Sequence, residues 1–146
     1  MTNPLDFSAP KNCVCFNLRR VTRVVTQFFD SEGRENGIRS TQASILLTLK
    51  AFGTANMAEL SESLGMDRTT LVRNLGPLQR DGLVATHGGG RGGRVELALT
   101  VKGRKQIEDL MPSWHAAQSA AVKILGEKRW SEILTDLETV AAALKK

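Results

Sequence analysis

Three arginines (68, 73 and 80), two threonines (69 and 70) and Val72 lie within DRTTLVRNLGPLQRDGLV, residues 67–84, and two further arginines, 91 and 94, follow in a glycine-rich run. Guanidinium groups can pair bidentately with guanine O6 and N7. Threonine hydroxyls and the free amides of a helix N-terminus favour phosphate oxygens. Asp67 can N-cap a helix on which Leu71, Leu75 and Leu78 share one face, which turns Thr69, Arg73 and Arg80 to the other side. Arg73 then suits base reading, with a phosphate contact as its alternative. Arg68 suits a phosphate clamp or a plain surface charge. Thr69 and Thr70 suit phosphates or are ordinary first-turn residues. The candidate DNA contacts are Arg68, Thr69, Thr70, Val72, Arg73, Arg91 and Arg94.

Charge is concentrated in the same region. Residues 67–105 hold eight basic and three acidic side chains, an excess equal to the net charge of the whole chain, +5. The remaining residues balance at twelve of each sign. A local surplus of this kind fits a surface that meets phosphates, the alternative being a solvated charged face.

Other chemistries find less support. No nucleophile elbow, phosphate loop or metal-ligand motif is present, and GGGRGG follows a strand without opening a helix, so the chain does not read as an enzyme. Cys13, Cys15, His87 and His115 lack zinc spacing, and neither a metal nor another cofactor is expected. Two cysteines two residues apart on a helix project to different faces, so they read as thiols in a reducing compartment, Cys15 as a buried one. No apolar run approaches the roughly 20 residues that cross a bilayer, and the N-terminus lacks the layout of a signal peptide. A cytoplasmic protein is expected.

The elements that must position these residues follow from periodicity. Residues 1–11, bracketed by Pro4 and Pro10, read as a flexible N-terminal arm. Residues 12–146 read as one domain, mainly α with a small β-hairpin wing. A helix over about residues 12–30 carries Val14, Leu18, Val21, Val25 and Phe28 on a wide apolar face. Ser40 can cap the next helix, and Asn56 with Glu59 makes a capping box for a short third one. Leu-Gly-Met-Asp is the tight turn of a helix-turn-helix. Residues 83–87 and 95–99 form a two-stranded hairpin around GGGRGGR, so residues 40–100 are a winged helix. Thr100 can cap a long helix kinked by Pro112, and Gly76-Pro77 should bend the reading helix locally. A last helix places Trp130, Ile133, Leu134, Leu137, Val140 and Leu144 along a seam. Apolar helices at 12–30 and 101–146 need a partner, and an intertwined homodimer supplies both burial and the two-fold symmetry suited to a pseudo-palindromic DNA site.

This order is similar to that of the MarR family of bacterial transcription regulators. LGMDRTTLVRNLGPLQRDGLV resembles the family's stretch from recognition helix into wing, LTVKGRKQI (residues 99–107) resembles its wing exit, and the resemblance spans about residues 12–144. It implies a sequence-specific DNA-binding regulator, a repressor released by a small organic effector, with double-stranded DNA as partner. Many members brace a wing arginine with an Asp-x-Arg pair. Residues 88–94 hold no acid, so either Arg91 or Arg94 takes the minor-groove role. The family's cleft for small aromatic or phenolic molecules implies a site near Arg20, Trp114 and His115, although a tryptophan on an apolar stripe is more often core. CVCFNLRR also resembles the region where some relatives sense peroxides through a cysteine, here Cys15, yet the tyrosines that surround that thiol are absent. Non-specific architectural DNA binding is the remaining alternative.

Overall fold

Side-chain caps set most of the helix starts, and they define the order of elements. The computed structural model describes residues 6–145 and contains α1 (Val14–Glu32), α2 (Ser40–Phe52), β1 (Thr54–Ala55), α3 (Met57–Leu64), α4 (Arg68–Arg80), β2 (Val84–Gly88), β3 (Val95–Leu99), α5 (Val101–Leu125) and α6 (Glu127–Leu144). At α3, Glu59 N donates to Asn56 Oδ1 (3.0 Å) while Asn56 N donates to Glu59 Oε2 (2.8 Å), the reciprocal cap expected from sequence. Thr100 Oγ1 accepts from Gly103 N (2.9 Å) to start α5.

The start of α2 differs from expectation. Ser40 is its first residue rather than its cap, and Ser40 N donates to Asp30 Oδ1 of α1 at 2.6 Å. A carboxylate from a neighbouring helix does the capping, a tertiary arrangement that no local pattern encodes.

The wing also differs. β3 is the central strand of a three-stranded antiparallel sheet in the order β1-β3-β2, with Ala55 opposite Leu97 and Thr86 opposite the same residue on the other side. A two-residue strand has no periodicity to read, which is why only a hairpin was expected. Of the arm expected over residues 1–11, residues 1–5 lie outside those described. From Asp6 the backbone turns back on itself, with Asn12 Nδ2 donating to Asp6 O (2.7 Å) and a 3-10 turn over Pro10–Asn12. α4 and α5 run unbroken through Pro77 and Pro112, so each proline removes one helical hydrogen bond without ending its helix.

The core lies inside the lobe formed by α2, α3, α4, the sheet and the start of α5. Ile45, Leu46 and Leu49 of α2, Leu60 of α3, Leu71 and Leu78 of α4 and Ile107 of α5 are its fully buried anchors. Burying each stabilises the lobe by roughly 1.5–3 kcal/mol relative to exposure. This rigid unit presents the outer face of α4. By contrast, no residue of α1 or α6 is buried within the chain, and Val14, Val21, Val24, Phe28, Leu137 and Val140 are exposed. Trp130 Nε1 donates to Ala121 O (2.9 Å), which holds the start of α6 to α5.

Candidate nucleic-acid interface

Asp67 fixes the start of α4 through both of its carboxylate oxygens. Thr70 N donates to Oδ1 (2.8 Å) and Thr70 Oγ1 donates to Oδ2 (2.9 Å). The backbone N–H of Thr70, and then its hydroxyl, hold the Asp67 carboxyl below its ordinary value of 3.8. Of the two roles expected for Thr70, a phosphate contact or a plain first-turn residue, its hydroxyl is engaged in the second, bonded to the cap. Thr69 and Arg68 remain exposed in the same turn.

Leu71, Leu75 and Leu78 are buried, and this orients the rest of α4. Arg73 and Arg80 are exposed on the far side, and Val72 stands exposed beside them. At the other end of the helix, Gln79 Nε2 donates to Thr86 Oγ1 (3.0 Å), tying α4 to the first wing strand. Lys102 Nζ donates to Asp81 O (2.7 Å) and Thr100 Oγ1 to Gly82 O (2.6 Å), so the turn after α4 is fastened to the start of α5. Sequence reasoning missed Gln79 and Lys102. Both lie one residue inside a helix end, the only signal that could have marked them.

The wing tip turns tightly, with Gly93 N donating to Gly90 O at 2.7 Å, which puts Arg91 second in a four-residue turn. Arg94 directly precedes β3, and both arginines are exposed. The local charge surplus divides in two. Lys102 and Arg104 donate to backbone carbonyls, and Lys105 Nζ meets Asp109 Oδ1 at 2.7 Å. Arg68, Arg73, Arg80, Arg91 and Arg94 have no ion pair among the described residues. These five cations, three on one helix and two on the wing, can neutralise phosphates.

Of the residues expected at an effector cleft, Trp114 is half-buried on α5. It packs edge-on against the half-buried Phe29 of α1, with ring centroids 4.8 Å apart. His115 and Arg20 are exposed, whereas Trp114 lines a small cleft with Phe29, Ile38 and Leu110. The larger cavity, about 1050 Å³, opens instead between α1, α5 and α6, against Val24, Phe28, Ala121, Trp130 and Leu134.

Cys15 is exposed rather than buried. Cys13 sits outside the helix, in extended conformation at its N-cap, where its sulfur accepts from Phe16 N at 3.5 Å. The expectation that both thiols ride on one helix is corrected by this boundary, two residues later than the sequence suggested.

The comparisons agree with this geometry. The MarR family model matches residues 36–94, from the loop before α2 to the wing. The transcriptional regulator MosR of M. tuberculosis is similar at 32% identity, with 92% of this chain and 99% of that one covered and a TM-score of 0.79. A second MosR structure, in complex with DNA, is similar at 31% identity over the same shares of the two chains, again with a TM-score of 0.79. CouR from Rhodococcus jostii RHA1 shares the fold at 19% identity, with 94% and 98% covered and a TM-score of 0.80. No curated protein matches the chain. A helix held by its leucines, a wing fastened to it and a likeness above 30% identity over 92% of the chain converge on one assignment: the chain belongs to the MarR family of transcription regulators.

Proposed function

We propose that the protein is a sequence-specific repressor that binds a pseudo-palindromic operator as a homodimer in the cytoplasm and is released by a small organic molecule. The observation that carries this reading is the outer face of α4, where Arg73 stands exposed on a helix locked by three buried leucines, next to a wing whose two arginines have no ion pair among the described residues. Arg73 reads guanine in the major groove, Arg68 and Thr69 contact phosphates, and Arg91, at the turn, enters the minor groove with Arg94 behind it. A DNA complex of a relative above 30% identity supports the partner. The unburied faces of α1 and α6 support the dimer, since exposed apolar surface of this extent marks an interface. The apolar groove between α1, α5 and α6 is continuous with those faces, and the part of it that the partner leaves open would hold an aromatic or phenolic effector; no enzymatic role is assigned.

The test is selection of duplexes from a random pool by the purified protein. Inverted repeats with half-sites about 10 base pairs apart are expected. Retention of the pool without enrichment would favour the architectural reading instead.

A second reading, that Cys15 is a peroxide switch, is favoured by its exposure at the first turn of α1. Peroxide would oxidise the thiolate to a sulfenic acid and weaken binding until a reductant restores the thiol. Cys15→Ser separates the two readings: a response to peroxide that disappears in the variant selects the switch, whereas release by an organic effector persists in it.

A further inference from the structure

Val72 is 53% exposed on α4. Folding gives no reason for it. A β-branched side chain is a weaker helix former than alanine, and an exposed isopropyl group stays hydrated. Its neighbours on the helix surface at three- and four-residue steps are Arg68, Thr69, Gly76 and the buried Leu75, and Thr69, Arg73 and Gly76 complete a rhombus with it on the outer face. At Gly76 an added Cβ would meet nothing within 4 Å, so the helix is bare there and open to the outside. Glycine also removes the clash that disfavours a helical residue before proline, which lets α4 continue into Pro77. The recognition face thus sets a guanidinium fork beside an apolar patch made of an isopropyl group and uncovered backbone.

In the major groove thymine alone among the four bases offers a methyl group, and apolar side chains read it by contact. Consecutive residues on a helix start about 3.8 Å apart at Cα and diverge by about 100°, so in the groove their tips reach neighbouring base pairs. We infer that Val72, with bare Gly76 beside it, reads a thymine methyl next to the guanine read by Arg73, so that each half-site holds the two bases at adjacent or next-adjacent positions. The inference rests on α4 being the base-reading helix.

The test uses a duplex selected from the random pool, in which each thymine is replaced in turn by deoxyuridine, a change that removes only the methyl group. Binding by the wild-type protein is expected to weaken about fourfold at one thymine per half-site, the ratio that burying one methyl group gives. Val72→Ala, at an exposed position where alanine favours the helix, is expected to bind the thymine and deoxyuridine duplexes equally while still preferring the guanine. Deoxyuridine sensitivity that survives in Val72→Ala, or that is absent from the wild type, overturns the role of Val72 alone. Failure to enrich any sequence from the pool overturns the base-reading helix itself.

Discussion

The carbonyl of Leu83 lies against the α-carbon of Gly103, so close that a Cβ there would run into it, and the same oxygen accepts from Thr100 N at 3.0 Å. This contact joins the strand that leaves the recognition helix to the helix that leaves the wing. Gly103→Ala should force the start of α5 away from β2, at a cost of about 1–3 kcal/mol. Thermal unfolding should report it as a Tm lowered by several degrees. An unchanged Tm would mean that the junction can relax without penalty.

Asp67 makes a pH-dependent prediction. A carboxyl whose pKa is lowered in the folded state stabilises above its unfolded value and ceases to do so as pH falls through the folded one. Thr70 lowers that of Asp67, so the cap holds at neutral pH and is lost below the ordinary aspartate value of 3.8. Asp67→Ala should therefore melt below the wild type at neutral pH, and the difference should close in acid. A difference that persists well below the ordinary value would show that the cap works by shape rather than charge.

Much of this was legible in the sequence because it is local. The caps at Asn56, Asp67 and Thr100 and the buried leucines of α4 follow from spacing within one or two turns. What escaped depends on contacts across the chain: Asp30 capping Ser40, β1 joining β3, Gln79 reaching Thr86, and Lys102 holding the carbonyl of Asp81. Trp114 shows the same limit. Its stripe marked it as buried or ligand-facing, and only the packing of α1 on α5 gives it Phe29 as a partner.

The seams of α1 and α6 predict self-association. Leu137 and Val140 are exposed in the single chain, on the face of α6 that the dimer would cover. Leu137→Asp with Val140→Asp should convert a dimer to monomers or aggregates in sedimentation equilibrium, with the winged lobe still folded because neither residue enters its core. A wild-type protein that sediments as a folded monomer at micromolar concentration would contradict the dimer.

Wing and helix should separate by function. Removing Arg91 and Arg94 together should weaken specific and random DNA alike and reduce the salt dependence of binding, because both act on backbone charge and groove shape. A loss confined to one sequence would assign the wing arginines to base reading.

The most direct measurement is the affinity of wild-type protein and Arg73→Ala for a selected duplex and for random DNA at one salt concentration. The wild type should prefer the selected duplex by roughly a thousandfold or more. Arg73→Ala should lose about 1–3 kcal/mol on that duplex and little on random DNA. Equal losses on both, or a wild type without preference, would contradict sequence reading by α4.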